Sequence, residues 1–287
     1  MKIINKYNVK ESLNNPKSLN ESTFNISKLG IVARDYSELN GNSDFSTSIF
    51  EILDYLDSQK CDSVLFSLFT ILDKNTITSK MLNSKKYQNL KSIFIEEFKY
   101  ENKDRIANFF KIYQNLGNDW SNYEIIQKFG KLKYTKKFNV EIISPFMKEV
   151  KTNRITGNAL VLLCGETNIV KYSKETKKIE DKFNLINQIP DTVKFILNPI
   201  HDKMIRFEMK LKRQFLSKDN KVVVSVWNKG KTFANGKTRD GLTPPWTIFY
   251  NEIEILVNKE NVNLSKNNSR IDIGIIDIEQ FKKTAKK

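Results

Sequence analysis

Residues 159–168 read ALVLLCGETN, and this stretch decides the fold that the sequence predicts. Its five leading apolar residues predict a buried strand, which runs directly into Cys164 and Gly165. Glycine permits a tight strand-to-helix turn that holds the thiol at the carboxyl end of the strand. Open α/β sheets bind ligands at that end, and a helix N-terminus favours a thiolate. The alternative is that Cys164 is a small buried apolar residue.

Strands and helices alternate outward from this stretch. Further strands are predicted at 29–33, 63–69, 92–95, 123–129, 193–197, 222–226, 248–256 and 271–276, and helices near 46–59, 76–90, 104–114 and 204–216. The apolar face of the last helix is predicted to consist of Met204, Phe207, Leu211 and Phe215. This alternation predicts an α/β domain. Since no linker or repeat interrupts it, we expect a single domain over 28–287, preceded by a loosely tied polar arm over 1–27.

Composition excludes several classes of protein. Of the 287 residues, 39% are hydrophobic and 11% aromatic, which a disordered chain does not show. The formal net charge is +15, but only seven of the 48 basic residues are Arg, the residue that nucleic-acid sites favour. The charge therefore keeps nucleic acid open as a partner without pointing to it.

Targeting signals and cysteine usage favour the cytoplasm. No apolar run reaches the length of a transmembrane helix, and the first residues lack the apolar core of a secretory signal. The two cysteines, Cys61 and Cys164, are far apart in sequence, which suits a reducing compartment. With one histidine, His201, no zinc site is expected, and we expect no cofactor.

A second stretch, 131–146 (KLKYTKKFNVEIISPF), precedes the cysteine strand. Together the two stretches and the order of elements over 28–282 resemble the nitrilase, or carbon–nitrogen hydrolase, superfamily. The resemblance implies that Lys133 and Glu141 are catalytic, that Cys164 is the nucleophile, and that Glu166 contributes to substrate binding. It also implies a four-layer αββα sandwich with mixed sheets, and a homodimer.

The basic stretch leaves the lysine assignment open. Lys133 lies among several lysines, so a solvated basic strand is the alternative reading of this segment. Lys131, Lys136 or Lys137 are the other candidates for a lysine that points inward.

The chain departs from the family at the general base. The family carries a glutamate after its second strand, where this sequence has Leu68. His201 is the first candidate to replace it, because it follows the strand expected beside that of Cys164, and Asp202 is next to it. Asp73 and Glu141 are weaker candidates. The alternative for His201 is a structural or exposed histidine.

Polar and aromatic residues at two further strand ends complete the predicted site. Asn198 follows the strand at 193–197, and Trp227 and Asn228 follow the strand at 222–226. We expect these three to contact substrate, although Trp227 is equally suited to fill the core.

Three functions follow from the sequence. The first is a cytoplasmic cysteine hydrolase that cleaves a small amide or nitrile through a thioester. The second is a catalytically degenerate member of the same fold that binds a ligand or a partner, which Leu68 motivates. The third is a nucleic-acid-associated defence protein, which rests on charge alone.

Overall fold

The computed structural model describes residues 24–34, 44–102, 104–117, 119–201, 207–229, 243–260, 262 and 271–284. The strands are β1 (Lys28–Arg34), β2 (Ser63–Phe66), β3 (Ile71–Leu72), β4 (Ser92–Glu101), β5 (Asp104–Asn115), β6 (Trp120–Ile125), β7 (Ile155–Thr156), β8 (Ala159–Val161), β9 (Lys171–Ser173), β10 (Lys178–Glu180), β11 (Phe195–Pro199), β12 (Val222–Val226), β13 (Trp246–Tyr250), β14 (Ile253–Ile255) and β15 (Ile271–Asp277). The helices are α1 (Ile49–Ser58), α2 (Ser79–Asn83), α3 (Lys136–Phe138), α4 (Ser144–Glu149), α5 (Phe207–Leu216) and α6 (Ile278–Thr284), with a π-helical turn at Asn139–Ile143 between α3 and α4.

Thirteen of the strands form two mixed sheets, and β9 and β10 pair with each other as a separate antiparallel hairpin. The first has the order β15-β1-β2-β4-β5-β6, with β3 beside β4, and its strands β1, β2 and β4 are parallel. The second has the order β14-β13-β12-β11-β8-β7, and its strands β8, β11 and β12 are parallel. The carboxyl ends of β8, β11 and β12 therefore lie at one edge of the second sheet, where Cys164, His201 and Asn228 follow.

Three apolar cores hold the molecule in four layers. The largest lies between the sheets and includes Ile31 and Leu65 of the first sheet and Val161 and Val224 of the second. On the outer side of the first sheet, α1 buries the stripe Ile49, Ile52, Leu53 and Leu56. On the outer side of the second sheet, α4 and α5 contribute Phe146 and Leu216 to the third core. The αββα sandwich that the resemblance implies is confirmed.

The predicted helix at 104–114 is wrong, because these residues form β5. This strand pairs with β4 on one side and β6 on the other. Its side chains alternate, with Phe110 and Ile112 in the core between the sheets and Tyr113 in the outer core. Cross-strand pairing of aromatic and β-branched residues outweighs a helical spacing that short apolar runs can mimic. Of the helix predicted at 76–90, only the short helix α2 (Ser79–Asn83) is present.

The end of the predicted N-terminal arm is anchored to the domain. Residues 1–23 lie outside the described part, but Ile26 is buried. Its backbone N–H donates to Asn158 Oδ1 at 2.8 Å, and its carbonyl accepts from Asn158 Nδ2 at 3.0 Å. Ser27 Oγ donates to Asp62 Oδ2 at 2.7 Å. Within the ranges described, no helix is long and apolar enough to cross a bilayer.

Candidate active site

Cys164 lies just beyond the carboxyl end of β8, half-buried against the core between the sheets. The predicted turn is present, but the helix behind it is a single 3₁₀ turn, Glu166–Ile169. Gly165 is right-handed, with φ −36°, so its conformation does not demand glycine. A Cβ there would lie 2.5 Å from the Cα of Gly130. The glycine is needed because another segment of backbone crosses the turn.

Glu166 fixes the conformation of this turn through both oxygens of its carboxylate. Its Oε2 accepts from the backbone N–H of Leu163 at 2.7 Å and pairs with Arg154 Nη1 at 2.7 Å, while Oε1 accepts from Lys128 N–H at 2.8 Å. Burial raises the pKa of the Glu166 carboxyl, and Arg154 and the two N–H donors oppose that. Both oxygens are thus engaged by the protein. These contacts position the turn that carries Cys164. The contact of Glu166 with substrate stays a prediction.

His201 lies beyond the end of β11 and contacts both the thiol and a carboxylate. Its Nε2 is 3.0 Å from Glu96 Oε2, it hydrogen-bonds Cys164, and its ring centroid is 4.3 Å from that of Phe69. Its side chain is only 14% exposed. Burial lowers the pKa of His201, but the Glu96 carboxylate and the sulfur of Cys164 raise it more, to about 10. At neutral pH this ring is therefore an imidazolium.

Glu96 is the candidate site residue that the sequence interpretation missed. It lies on β4 at a bulge in the pairing with β5, and its Oε2 also accepts from the backbone N–H of Phe69 at 2.7 Å. Phe69 holds a left-handed conformation, with φ +58°, which a non-glycine residue adopts at a cost. A signal was present in the sequence, since Glu96 and Glu97 interrupt the apolar run 93–98, and buried carboxylates need partners.

Leu68, at the position expected for the family glutamate, is fully buried in the core between the sheets. The next residue, Phe69, is the one whose N–H holds Glu96. A carboxylate from the neighbouring strand β4 thus reaches the segment where the family carries its own. The Leu68 carbonyl accepts from Asn228 Nδ2 at 2.7 Å.

The three predicted pocket residues are all buried. Asn228 Oδ1 accepts from the backbone N–H of Arg34 at 3.0 Å, so Asn228 ties β1 and Leu68 to the end of β12. Asn198 Nδ2 donates to the Leu162 carbonyl at 2.6 Å. Trp227 is 1% exposed, and its Nε1 has no hydrogen-bond partner among the described residues. Their contacts with substrate stay predictions.

Lys133 and Glu141 make no described contact with this cluster. Both are exposed, Lys133 before α3 and Glu141 in the π-helical turn. Among the residues that the structure describes, neither has a hydrogen bond or an ion pair. The predicted basic strand is instead a loop followed by helix from Lys136. Their catalytic roles stay predictions, without a described contact to Cys164.

The helix α5 turns a different face inward from the one predicted. It buries Lys212, Arg213 and Leu216, whereas Phe207 is 68% exposed. Met204, which the prediction placed on the apolar face, lies outside the described residues. Amphipathic spacing assumes that the inner face is apolar, and here two cations occupy it. Arg213 is close enough to Cys164 for the two charges to interact.

Comparisons with known proteins give matches among solved structures. No family model matches the chain, and no curated protein matches it. The chain is similar to a carbon–nitrogen hydrolase from Helicobacter pylori, with 10% identity and a TM-score of 0.43 over 91% of this chain and 93% of that one. It is also similar to a glutamine-dependent NAD+ synthetase from Acinetobacter baumannii, with 13% identity and a TM-score of 0.44 over 88% of this chain and 46% of that one.

A third match is a protein of the carbon–nitrogen hydrolase superfamily from Xanthomonas campestris, whose structure contains an arsenic adduct in the active site. It shares 10% identity and a TM-score of 0.42 with this chain, over 92% of this chain and 95% of that one. The matched proteins from Helicobacter pylori and Xanthomonas campestris are both described as carbon–nitrogen hydrolases.

Proposed function

We propose that this protein is a cysteine-dependent hydrolase of a small amide or nitrile, in which Cys164, His201 and Glu96 act as a catalytic triad. One observation supports it: His201 contacts Cys164 and, through Nε2, Glu96 at 3.0 Å. A nucleophile, a base within hydrogen-bond reach and a third group that orients the base are the parts that covalent catalysis requires.

The first half-reaction forms a thioester. The Cys164 thiolate attacks the amide carbon, a C–S bond forms, and the carbonyl π electrons move to oxygen. When they return, the C–N bond breaks, and His201 gives its proton to the leaving nitrogen, which departs as ammonia or an amine. Glu96 keeps the imidazolium oriented and balances its charge.

The second half-reaction consumes water. The neutral His201 takes a proton from water, and the resulting hydroxide adds to the thioester carbon. The C–S bond then breaks, the acid leaves, and the sulfur returns to the thiolate beside a protonated His201. With a nitrile, the thiolate adds to the carbon and His201 protonates the nitrogen, which gives a thioimidate. A first water then adds to the thioimidate carbon and ammonia leaves, which gives the same thioester.

The test is acylation of one cysteine. The protein is incubated with simple amides, ammonia release is measured, and intact and peptide masses are recorded. We expect an adduct of the acyl mass on Cys164. Cys164→Ala should lose both signals, whereas Cys61→Ala, which changes the other cysteine, should keep both. Full ammonia release by Cys164→Ala would refute the proposal.

The second candidate is a ligand-binding protein of the same fold without catalysis, and Leu68 is the observation that favours it. That reading gains support if no amide or nitrile yields an adduct and Cys164 reacts with alkylating reagents no faster than a free thiol. Rapid alkylation that depends on His201 counts against it.

A further inference from the structure

The helix α5 places two buried cations next to each other. Lys212 is 7% exposed and Arg213 is 2% exposed, while Phe207 on the same helix is exposed. Burying one charge is costly, and burying two of like sign side by side adds repulsion. Departures of this kind from amphipathic patterning concentrate at functional sites.

Lys212 reaches the loop that carries Cys164. Its Nζ donates to Asn168 Oδ1 at 2.7 Å, and Asn168 Nδ2 donates to the Gly130 carbonyl at 2.7 Å. Asn168 belongs to the 3₁₀ turn directly behind the cysteine. Within the described part of the chain Lys212 has no ion pair. Burial and the charges of Arg213 and Lys171 lower the pKa of Lys212 to about 8, and the carboxylate of Glu208, one helical turn away, opposes this shift.

Arg213 is connected to the segment before Cys164 through two side chains, Ser225 and Asn198. Its Nε donates to Ser225 Oγ, and Nη1 donates to the Met209 carbonyl at 2.9 Å. Ser225 Oγ in turn donates to Asn198 Oδ1 at 3.1 Å. Asn198 donates to the carbonyl of Leu162, two residues before Cys164. Burial lowers the pKa of Arg213 to about 10 and negative charge on Cys164 opposes that, so the guanidinium stays charged.

We propose that Lys212 and Arg213 form an anion-recognition subsite beside Cys164, so that the site takes acyl substrates that carry a carboxylate. An anion bound here would offset the cost of burying the Lys212 ammonium, for which the described residues supply no ion pair. A planar guanidinium and a point-charge ammonium together suit a carboxylate. The substrate class rests on the proposed function, whereas the subsite itself does not.

Two alkylating reagents of equal reach test the subsite without any hydrolysis. Iodoacetate carries a carboxylate and iodoacetamide does not, so the ratio of their rates at Cys164 reports the local preference for anions. We expect this ratio to exceed that of glutathione by about tenfold, which is what one partly screened charge a few ångströms away supplies. Arg213→Gln should lower the ratio by about tenfold and Lys212→Gln by about threefold.

Matched variants separate charge from folding. Arg213→Lys keeps the charge and should keep most of the ratio, and Lys210→Gln, which changes an exposed lysine of α5 paired with Glu254, should leave it unchanged. If Arg213→Gln does not fold, the subsite is tested in wild-type protein by competition with acetate. Acetate at constant ionic strength should then protect Cys164 from iodoacetate.

The outcomes distinguish the two proposals. A ratio equal to that of glutathione in the wild type, or one that Arg213→Gln leaves unchanged, overturns the subsite even if amides are hydrolysed. Failure of acetate to protect would overturn it as well. A raised, Arg213-dependent ratio without ammonia release keeps the subsite and rejects the hydrolase.

Discussion

The two cysteines of this chain occupy opposite edges of parallel strands and have opposite surroundings. Cys61 precedes β2, at the amino end of that strand, and is fully buried. Burial raises its pKa to about 12, with Lys28 opposing and Asp62 adding to the shift. Cys164 follows β8 at the carboxyl end, half-buried and hydrogen-bonded to His201.

The difference shows that the edge of the sheet, and not the residue type, decides what a cysteine can do. The carboxyl ends of β8, β11 and β12 bring Cys164, His201 and Asn228 to one place, and β4 adds Glu96 from the other sheet. The amino end of β2 receives no such set.

The largest expected effect is on alkylation. In native protein at pH 7, iodoacetamide should modify Cys164 and spare Cys61. A pKa of about 12 leaves the Cys61 thiolate about 10³-fold scarcer than that of an ordinary thiol. Peptide mapping measures both sites, and in denaturant both should react. Comparable labelling of the two in folded protein would remove the contrast.

The next effect is on hydrolysis. His201→Asn should lower kcat/KM by about 10²-fold or more, and Glu96→Gln by about tenfold, since the first removes the acid–base group and the second only its orienting partner. Glu97→Gln, which breaks the ion pair with Lys111 at 2.8 Å, is the matched control and should stay within about twofold. Equal losses in Glu96→Gln and Glu97→Gln would mean that the effect is structural.

A smaller effect is a titration shift that needs no assignment, because His201 is the chain's one histidine. Its NMR signals should titrate near pH 10. Cys164→Ala and Glu96→Gln should each lower this pKa by about one unit or more, because each removes a negative charge beside the ring. A wild-type value near 6.5 would show that the ring contacts neither partner.

The same shift predicts how stability depends on pH. The pKa of His201 is higher in the folded protein than its ordinary value of 6.5, so the stabilisation it supplies is complete below that pH and is lost as pH rises through about 10. The thermal midpoint should therefore fall more steeply over this range in the wild type than in His201→Asn. Parallel curves for the two proteins would contradict it.

The smallest expected effect is at Lys133. Because Lys133 is exposed and has no described contact, Lys133→Ala should change kcat/KM by less than about twofold, the range typical of surface substitutions. A loss of about 10²-fold would instead restore Lys133 as the partner of the oxyanion. Lys131→Ala, an exposed neighbour, serves as the control.

The residues at the ends of strands are the part of the candidate site that the sequence predicted. Cys164 and His201 could be found because an apolar run that stops at a reactive residue marks the ligand-binding edge of a parallel sheet. The alternating elements gave the α/β class for the same reason: burial imposes periodicity. The four layers came only with the family resemblance.

The residues that were missed lie inside elements. Glu96 stands within a strand, at a bulge that only pairing with β5 reveals. Arg213 and Lys212 stand in a helix whose spacing favoured burial of Phe207. β5 was misread because a run such as FFKIYQ has no decisive period of its own. Each of these features is determined by tertiary contacts, which a short stretch of sequence does not reveal.

The proposed triad joins the two sheets, since Glu96 belongs to the first sheet and Cys164 and His201 follow strands of the second. Each sheet alone holds an incomplete set. A division between β6 and β7 would separate Glu96 from Cys164 and His201, and it would leave β15 of the first sheet on the second fragment. Such fragments would lack the reactivity of the site when separate and recover it when mixed, provided that β15 pairs with β1 and the inner apolar faces dock in register. The alkylation rate of Cys164 would then report how completely the two fragments have reassembled.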